Sequence, residues 1–150
     1  MTTASNIGKY ILLHFHEKGV PVNNLKLQKL VYYTQAWHLA LYDKPIFMDP
    51  IEAWVHGPVA YPVFQEYRAF RWNPISGMPM ETCADKALAS HLGEVLNVYG
   101  SMDAIALERM THAEPPWKIA RAGLPPDVPC RNVISNESMK RYYRSLSDGA

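Results

Sequence analysis

Three residues are candidates for acid–base chemistry, and the two histidines among them each lie close to a proline or glycine at a predicted element boundary. Glu52 and His56 share one short segment, and His112 follows much later in the chain. A carboxylate and two imidazoles can act as acid and base if folding brings them together. Their spacing gives no support for this, and histidines that lock turns through hydrogen bonds are the simpler interpretation. The sequence therefore predicts no enzyme, with a small enzyme using Glu52, His56 and His112 as an alternative.

Other reactive patterns are missing from the sequence. It has no phosphate-binding glycine loop, no nucleophile elbow and no His-Glu-x-x-His zinc motif. The six histidines form no ligand set with cysteine, so neither a metal nor a cofactor is expected. Cys83 and Cys130 lack the spacing of a disulfide framework and fit buried thiols in a reducing cytoplasm.

The composition is that of a globular protein. Its 150 residues are 48% hydrophobic and 19% charged, which is enough to bury a proper core.

A formal net charge of +1 provides no field that would attract nucleic acid or anionic lipid. Lys140, Arg141 and Arg144 leave a nucleic-acid patch as a minor alternative to a solvated helix face. No signal peptide or membrane-spanning apolar run is recognisable, so a cytoplasmic protein is expected.

Helical spacing dominates the first part of the chain. Ser5 or Asn6 is predicted to cap a first helix that ends at Gly19. Asn23 or Asn24 then caps a second helix with one buried face. That face consists of Leu27, Leu30, Val31, Thr34, Trp37 and Leu41.

The pattern changes between residues 46 and 59, where prolines bar a helix and apolar residues alternate with polar ones. This predicts one short strand that ends in a Gly57-Pro58 turn. Tyr61-Pro62 opens a third helix that runs through Phe70, and a loop follows from Asn73 to Pro79.

Four more helices are predicted in the second half of the chain. Their caps are Asp85, Ser101, a capping box from Thr111 to Glu114, and Ser135. The sequence therefore predicts a mainly α protein of six or seven helices with one short extended segment. We expect a compact single domain over residues 1–150, with its core at about 5–146.

Aromatic residues suggest where a partner could bind. Tyr32 and Tyr33 are adjacent on one helix and cannot both face the core fully, so at least one is predicted to be partly exposed. Tyr33 and His38, on the less apolar side, are the first candidates for partner contact. Lys29 is a third, and it has Glu52 as a candidate ion-pair partner. Glu66 is a second candidate partner for this lysine.

Two groups of residues resemble the signatures of the Panacea domain, a phage-associated family that includes the SocA-like antitoxins. The resemblance spans roughly residues 5–146. The first group is Leu27 to Tyr33, Trp37-His38-Leu39, Glu52 to Val59 and Tyr67; the second is Thr111-His112, Pro116-Trp117 and Ala120-Arg121. The signature residues expected to be structural are Gln28, Tyr32, Trp37, Trp54, His56, Gly57, Pro58, Tyr67, Thr111, His112, Pro116 and Trp117.

The resemblance implies a helical antitoxin that neutralises a toxin encoded by an adjacent gene through direct binding. One member of the family is a proteolytic adaptor that delivers its toxin to a AAA+ protease, and this is the alternative. A homo-oligomer remains open. Because the first predicted helix begins close to Met1, no N-terminal DNA-binding segment is expected.

Overall fold

The structure, a computed structural model, describes residues 1–77, 82 and 84–148. Within these residues the chain forms seven α-helices and one two-stranded sheet. The prediction of a mainly α fold with a short β segment is confirmed. The elements are α1 (Ala4–Glu17), α2 (Asn24–Tyr42), β1 (Ile51–Trp54), β2 (Gly57–Ala60), α3 (Tyr61–Glu66), a 3-10 helix (Arg68–Phe70), α4 (Lys86–Tyr99), α5 (Ala104–Ala113), α6 (Pro115–Arg121) and α7 (Asn136–Asp148).

Helix α2 lies at the centre of the fold. It packs against α1, α4, α5, α7 and strand β2, so neighbours cover it on several sides. Fourteen of its 19 residues are buried, and the prediction of a single buried face is therefore too narrow. Leu41, which was predicted to lie on that face, is 45% exposed at the end of the helix where this cover stops.

Both adjacent tyrosines of α2 are buried, and the prediction that one is partly exposed is wrong. Tyr33 stacks on Tyr99 of α4, with ring centroids 4.0 Å apart. The Tyr32 hydroxyl lies 3.0 Å from the Tyr143 hydroxyl of α7. Two different helices thus cover two neighbouring positions, which a pattern confined to one helix cannot show.

A buried carboxylate ties these aromatic residues together. Glu114 accepts hydrogen bonds from the hydroxyls of Tyr33 at 2.6 Å and Tyr143 at 3.0 Å. Burial raises the pKa of Glu114, while the two donated bonds oppose that rise. The predicted capping box is therefore wrong: α5 continues through Thr111, and Glu114 bonds to the core instead of to a helix end.

Residues 46–59 were predicted to form one short strand, but they contain β1 and most of β2, which together form a β-hairpin. Strand β1 pairs antiparallel with β2, and Val55 and His56 form the turn. Gly57 and Pro58, predicted to end the strand in a turn, begin the second strand. Pro58 is tolerated because Ala53, which it faces in β1, donates its N–H to the Asn132 carbonyl and not to β2, so this position needs no ladder bond from Pro58.

Helix caps match the predictions in part. Asn23, Asp85 and Ser135 accept hydrogen bonds from the first turns of α2, α4 and α7, as predicted. Thr3, not Ser5 or Asn6, caps α1. The fifth helix also has a different cap, because the Asp103 carboxylate accepts from the Ala106 N–H at 2.8 Å where Ser101 was predicted.

The remaining predictions concern α3, the loop that follows it, the two cysteines and membrane-spanning segments. Helix α3 is shorter than predicted, and a 3-10 helix follows it as far as Phe70. Pro79 at the end of the predicted loop, and Cys83, lie outside the described residues. Cys130 is a half-buried free thiol. None of the helices in the described ranges combines the length and the apolar character that spanning a membrane requires.

Candidate functional site

Two side chains of α2 hold strand β2 by its backbone. The Gln28 amide oxygen accepts from the Ala60 N–H at 3.0 Å. The Lys29 ammonium donates to the Pro58 carbonyl, also at 3.0 Å. Because these partners are backbone atoms, the two adjacent signature positions fix the place of the strand through its main chain.

Two side chains of α6 hold strand β1 in the same way. The Trp117 indole N–H donates to the Trp54 carbonyl at 2.8 Å, and the Arg121 guanidinium donates to the Ala53 carbonyl at 3.0 Å. The guanidinium also lies over the Trp117 ring, 4.8 Å from its centroid. The hairpin is thus bound from both sides by helices far apart in sequence.

His112 completes this arrangement at the turn of the hairpin. Its ring stacks on Trp117 with centroids 4.2 Å apart and forms a hydrogen bond with the Val55 backbone. Burial lowers its pKa, which favours the neutral ring. We call the five residues that hold the hairpin the hairpin clamp: Gln28, Lys29, His112, Trp117 and Arg121.

Lys29 is the most unusual member of the clamp because its side chain has no exposed surface. Burial lowers its pKa from 10.5 to about 7, and the charge of Glu108 opposes that shift. Gly57 packs directly on its stem: a Cβ at this position would lie 2.6 Å from Lys29 Cε and 2.8 Å from Thr111 Oγ1. With φ at +103°, position 57 also requires a backbone conformation that glycine tolerates best.

The carboxylate beside the signature histidines is Glu108, which the sequence analysis did not single out. His56 Nδ1 lies 2.6 Å from a Glu108 carboxylate oxygen, and this histidine is exposed. Glu108 precedes His112 by four residues on α5, so both lie on one face of that helix. The four-residue spacing of Glu108 and His112 was the sequence signal that could have paired them. The contact between His56 and Glu108 is visible only in the folded structure.

The acid–base group of the alternative enzyme hypothesis does not assemble through hydrogen bonds to Glu52. The Glu52 carboxylate accepts from the Trp54 indole at 2.8 Å and from Arg131 Nε at 2.7 Å. In the described part of the chain, no hydrogen bond or ion pair joins Glu52 to His56 or His112. Glu52 does not pair with Lys29 either, because that ammonium donates to a backbone carbonyl.

The remaining signature residues lie in the interior or at its edge. Thr111, Pro116 and Tyr67 are buried, and the Thr111 hydroxyl donates to the Glu108 carbonyl. Trp37 is half-buried and donates from its indole N–H to the hydroxyl of Tyr99 at 2.8 Å.

Among the three residues predicted to contact a partner, only one is accessible. Lys29 and Tyr33 have no exposed surface. Their selection as partner-contact residues assumed that they are exposed, and that assumption is wrong. His38 is half-buried, and its Nδ1 lies 2.6 Å from the Lys44 carbonyl. Its ring contacts those of Tyr42 and His91, with centroids 4.9 and 5.1 Å apart.

His38 borders an apolar depression between α2 and α4, which we call the α2–α4 groove. It encloses about 210 Å³. The lining residues are Trp37, Leu41, His91, Glu94, Val95, Val98 and Tyr99. Val98 is 63% exposed and Tyr42, beside His91, is 52% exposed, so large apolar side chains face solvent here.

A second and larger pocket lies against the hairpin, and we call it the hairpin pocket. It encloses about 550 Å³. The lining residues are Asn24, Leu25, Gln28, Lys29, Trp54, His56, Val59, Phe64, Arg68, Arg71 and Trp72. Five of these belong to the signatures or the clamp, so the clamp and the pocket share a wall.

The C-terminal basic residues are engaged in the structure. Lys140 pairs with Asp43, and Arg141 pairs with Glu137 one turn earlier on α7. Arg144 donates to a backbone carbonyl of α2 at 3.2 Å. Across the described ranges, no group of three or more His, Cys, Asp or Glu side chains is placed to hold a metal ion.

Comparison with known proteins identifies the family. Residues 27–118 match the family described as antitoxin SocA-like, Panacea domain. The chain belongs to this family. The matched residues contain the whole hairpin and every clamp residue except Arg121, so the predicted Panacea resemblance is confirmed.

A named relative extends the comparison. Antitoxin SocA of Caulobacter vibrioides (strain NA1000 / CB15N) is 29% identical over 117 residues, which cover 69% of this chain and 62% of the relative. The Panacea chain thus spans about three fifths of the length of that protein. No solved structure gives a match.

Gly57→Ala should destabilise the protein more than its backbone conformation alone explains. The added methyl group meets the Lys29 stem and the Thr111 hydroxyl, and we expect a loss of about 3 kcal/mol in the free energy of unfolding. Gly19→Ala is the matched control, because Gly19 also has a positive φ but no atom within 4 Å of an added Cβ. Its expected loss is about 1 kcal/mol. Urea unfolding measures both, and equal losses would show that Gly57 does not pack on the clamp.

Lys29→Met should change how stability depends on pH. Between pH values near 7 and 10.5, the unfolded state binds a proton at Lys29 that the folded state does not, so the unfolding free energy of the wild type rises with pH. The slope from this group is at most about 1.4 kcal/mol per pH unit. We expect Lys29→Met to lack this rise in urea unfolding between about pH 7.5 and about pH 9.

The control for this experiment is Lys118→Met, which removes an exposed lysine of α6. It should keep the pH dependence of the wild type. A Lys29→Met profile parallel to the wild type would mean that Lys29 keeps its proton in the folded state.

Proposed function

We propose that this Panacea protein is a cytoplasmic antitoxin that neutralises a cognate toxin, encoded by a neighbouring gene, through direct protein–protein contact. The observation that carries the proposal is the family match over residues 27–118, which contains most of the hairpin clamp. The relative that the chain resembles is itself named an antitoxin.

The α2–α4 groove is the surface on which we place the toxin contact. Leu41, Tyr42 and Val98 expose large apolar side chains there, and His38 borders the groove through its contact with His91. Protein interfaces gain most of their affinity from a few aromatic and apolar anchors that lose contact with water. A toxin segment that presents an apolar side chain to the groove would supply such an anchor.

Binding, not a chemical step, is the proposed mode of action. The Glu52 carboxylate is held by Arg131 and Trp54, and it forms no hydrogen bond with His56 in the described residues. His112 stacks on Trp117 as part of the hairpin clamp. Both observations support structural roles for the residues from which the alternative enzyme would be built.

Val98→Asp should abolish neutralisation without unfolding the protein. Val98 is 63% exposed, so a carboxylate there costs little stability but places an unpaired charge in the contact. We expect loss of growth rescue when the variant is co-expressed with the product of the adjacent gene, and an affinity for that product weaker by about ten-fold or more.

The matched control is Ile119→Asp, because Ile119 is 64% exposed on α6 and does not line the groove. It should rescue growth like the wild type. Rescue by Val98→Asp would remove the groove from the contact, whereas failure of the wild type to rescue would refute the antitoxin proposal itself.

Repeating the growth rescue in cells without the AAA+ proteases tests the mode of neutralisation. Direct binding predicts that rescue persists, and the adaptor alternative predicts its loss.

A further inference from the structure

The hairpin pocket carries cationic groups at its rim. Arg68 and Arg71 are exposed around it, and none of its described lining residues is an aspartate or glutamate. Glu108, which contacts the lining residue His56, and Glu52, which contacts the lining residue Trp54, are both engaged, the first by His56 and the second by Arg131. The rim therefore presents positive charge that no carboxylate of the pocket wall neutralises.

The two arginines of the rim are available for a ligand. The Arg71 guanidinium has no hydrogen-bond or ion-pair partner in the described part of the chain, and the side-chain bond from Arg68 to Gln65 is long at 3.4 Å. The backbone of Arg71 has φ +53° and ψ −121°, a combination that residues other than glycine rarely adopt. Strained positions of this kind concentrate at binding and catalytic sites.

The walls and floor of the pocket differ from its rim. Trp54 and Trp72 contribute indole rings, and Trp72 is 60% exposed although it is a large aromatic residue. The lining also includes the buried amides of Asn24 and Gln28, which are hydrogen-bonded to each other, and the covered side chain of Lys29. The volume of about 550 Å³ lies within the roughly 300–1,000 Å³ of small-molecule sites, which combine apolar walls with a few polar groups.

We propose that the hairpin pocket binds a small planar anion, an aromatic ring that carries a phosphate or a carboxylate. The ring packs against the indoles of Trp54 and Trp72, since aromatic surfaces gain from stacking and from burial. The anionic group binds Arg68 and Arg71, whose guanidinium groups match the geometry of phosphate and carboxylate oxygens. A bare anion lacks the ring contact and a neutral ring lacks the charge contact, so each half alone binds more weakly.

This site goes beyond toxin neutralisation and does not depend on it. The pocket lies beside the hairpin, whereas the proposed toxin contact lies between α2 and α4, and the two sets of lining residues share no member. A ligand in the pocket would contact the same hairpin that the clamp holds, through Trp54 and His56.

Isothermal titration calorimetry on the full chain tests the proposal with four probes: adenosine monophosphate, indole-3-acetate, adenosine and inorganic phosphate. We expect one-site binding of at least one of the two ring-bearing anions, with adenosine and phosphate weaker by about ten-fold or more. Binding of the nucleotide alone assigns a phosphate ligand, and binding of indole-3-acetate alone assigns a carboxylate. Failure of both ring-bearing anions to bind, or phosphate binding as tightly as the nucleotide, overturns the proposal.

Variants locate the binding. Arg68→Gln combined with Arg71→Gln should lower the affinity for the ring-bearing anion by about ten-fold or more. Because both arginine side chains are exposed, the double variant should keep its fold. Trp72→Ala should lower that affinity as well through loss of the ring contact. Arg109→Gln, which removes an exposed charge of α5 outside the pocket, should bind like the wild type. Unchanged affinity in the double variant, or an equal loss in Arg109→Gln, contradicts the proposal.

Discussion

The rest of the structure depends on one buried contact, the hydrogen bond from the Lys29 ammonium to the Pro58 carbonyl. An ammonium group loses much of its hydration when it is buried, and this loss accounts for the lowered pKa of Lys29. The contact requires Gly57, because any Cβ there would occupy the space of the lysine stem. It places β2 against α2, and the position of β2 sets the position of the turn, of β1 and of the helix α6 that binds β1.

This dependence explains why the family signatures lie so far apart in the sequence. Gln28 and Lys29 hold one strand of the hairpin, while Trp117 and Arg121 hold the other. Their partners are main-chain groups, so the helix side chains hold the strands by the backbone, and Gly57 leaves the space that the Lys29 stem occupies. The signatures therefore describe a scaffold, and the surfaces proposed for a toxin and for a small anion lie around it.

The sequence predicted features that depend on contacts within a few residues. Asn23 and Asp85 were recognised as caps because a cap bonds to the first turn of its own helix. Ser101 was wrong because Asp103, only two residues later, is an equally good cap. The burial of Tyr33 and Lys29 was missed because it comes from α4, α7 and β2, which reach α2 only in the folded chain. The second strand was missed for the same reason, since its position is fixed by α2.

The central claim is that Lys29 is buried and loses its proton far below the ordinary range of a lysine, and its titration tests this most directly. NMR of the protein with isotope-labelled lysine can follow the Lys29 Cε and Nζ resonances as the pH is raised, with Lys29→Met to assign them. The account predicts a midpoint near pH 7 while the protein stays folded. A midpoint near the ordinary value of 10.5 would contradict it, because Lys29 would then keep its charge in the folded protein.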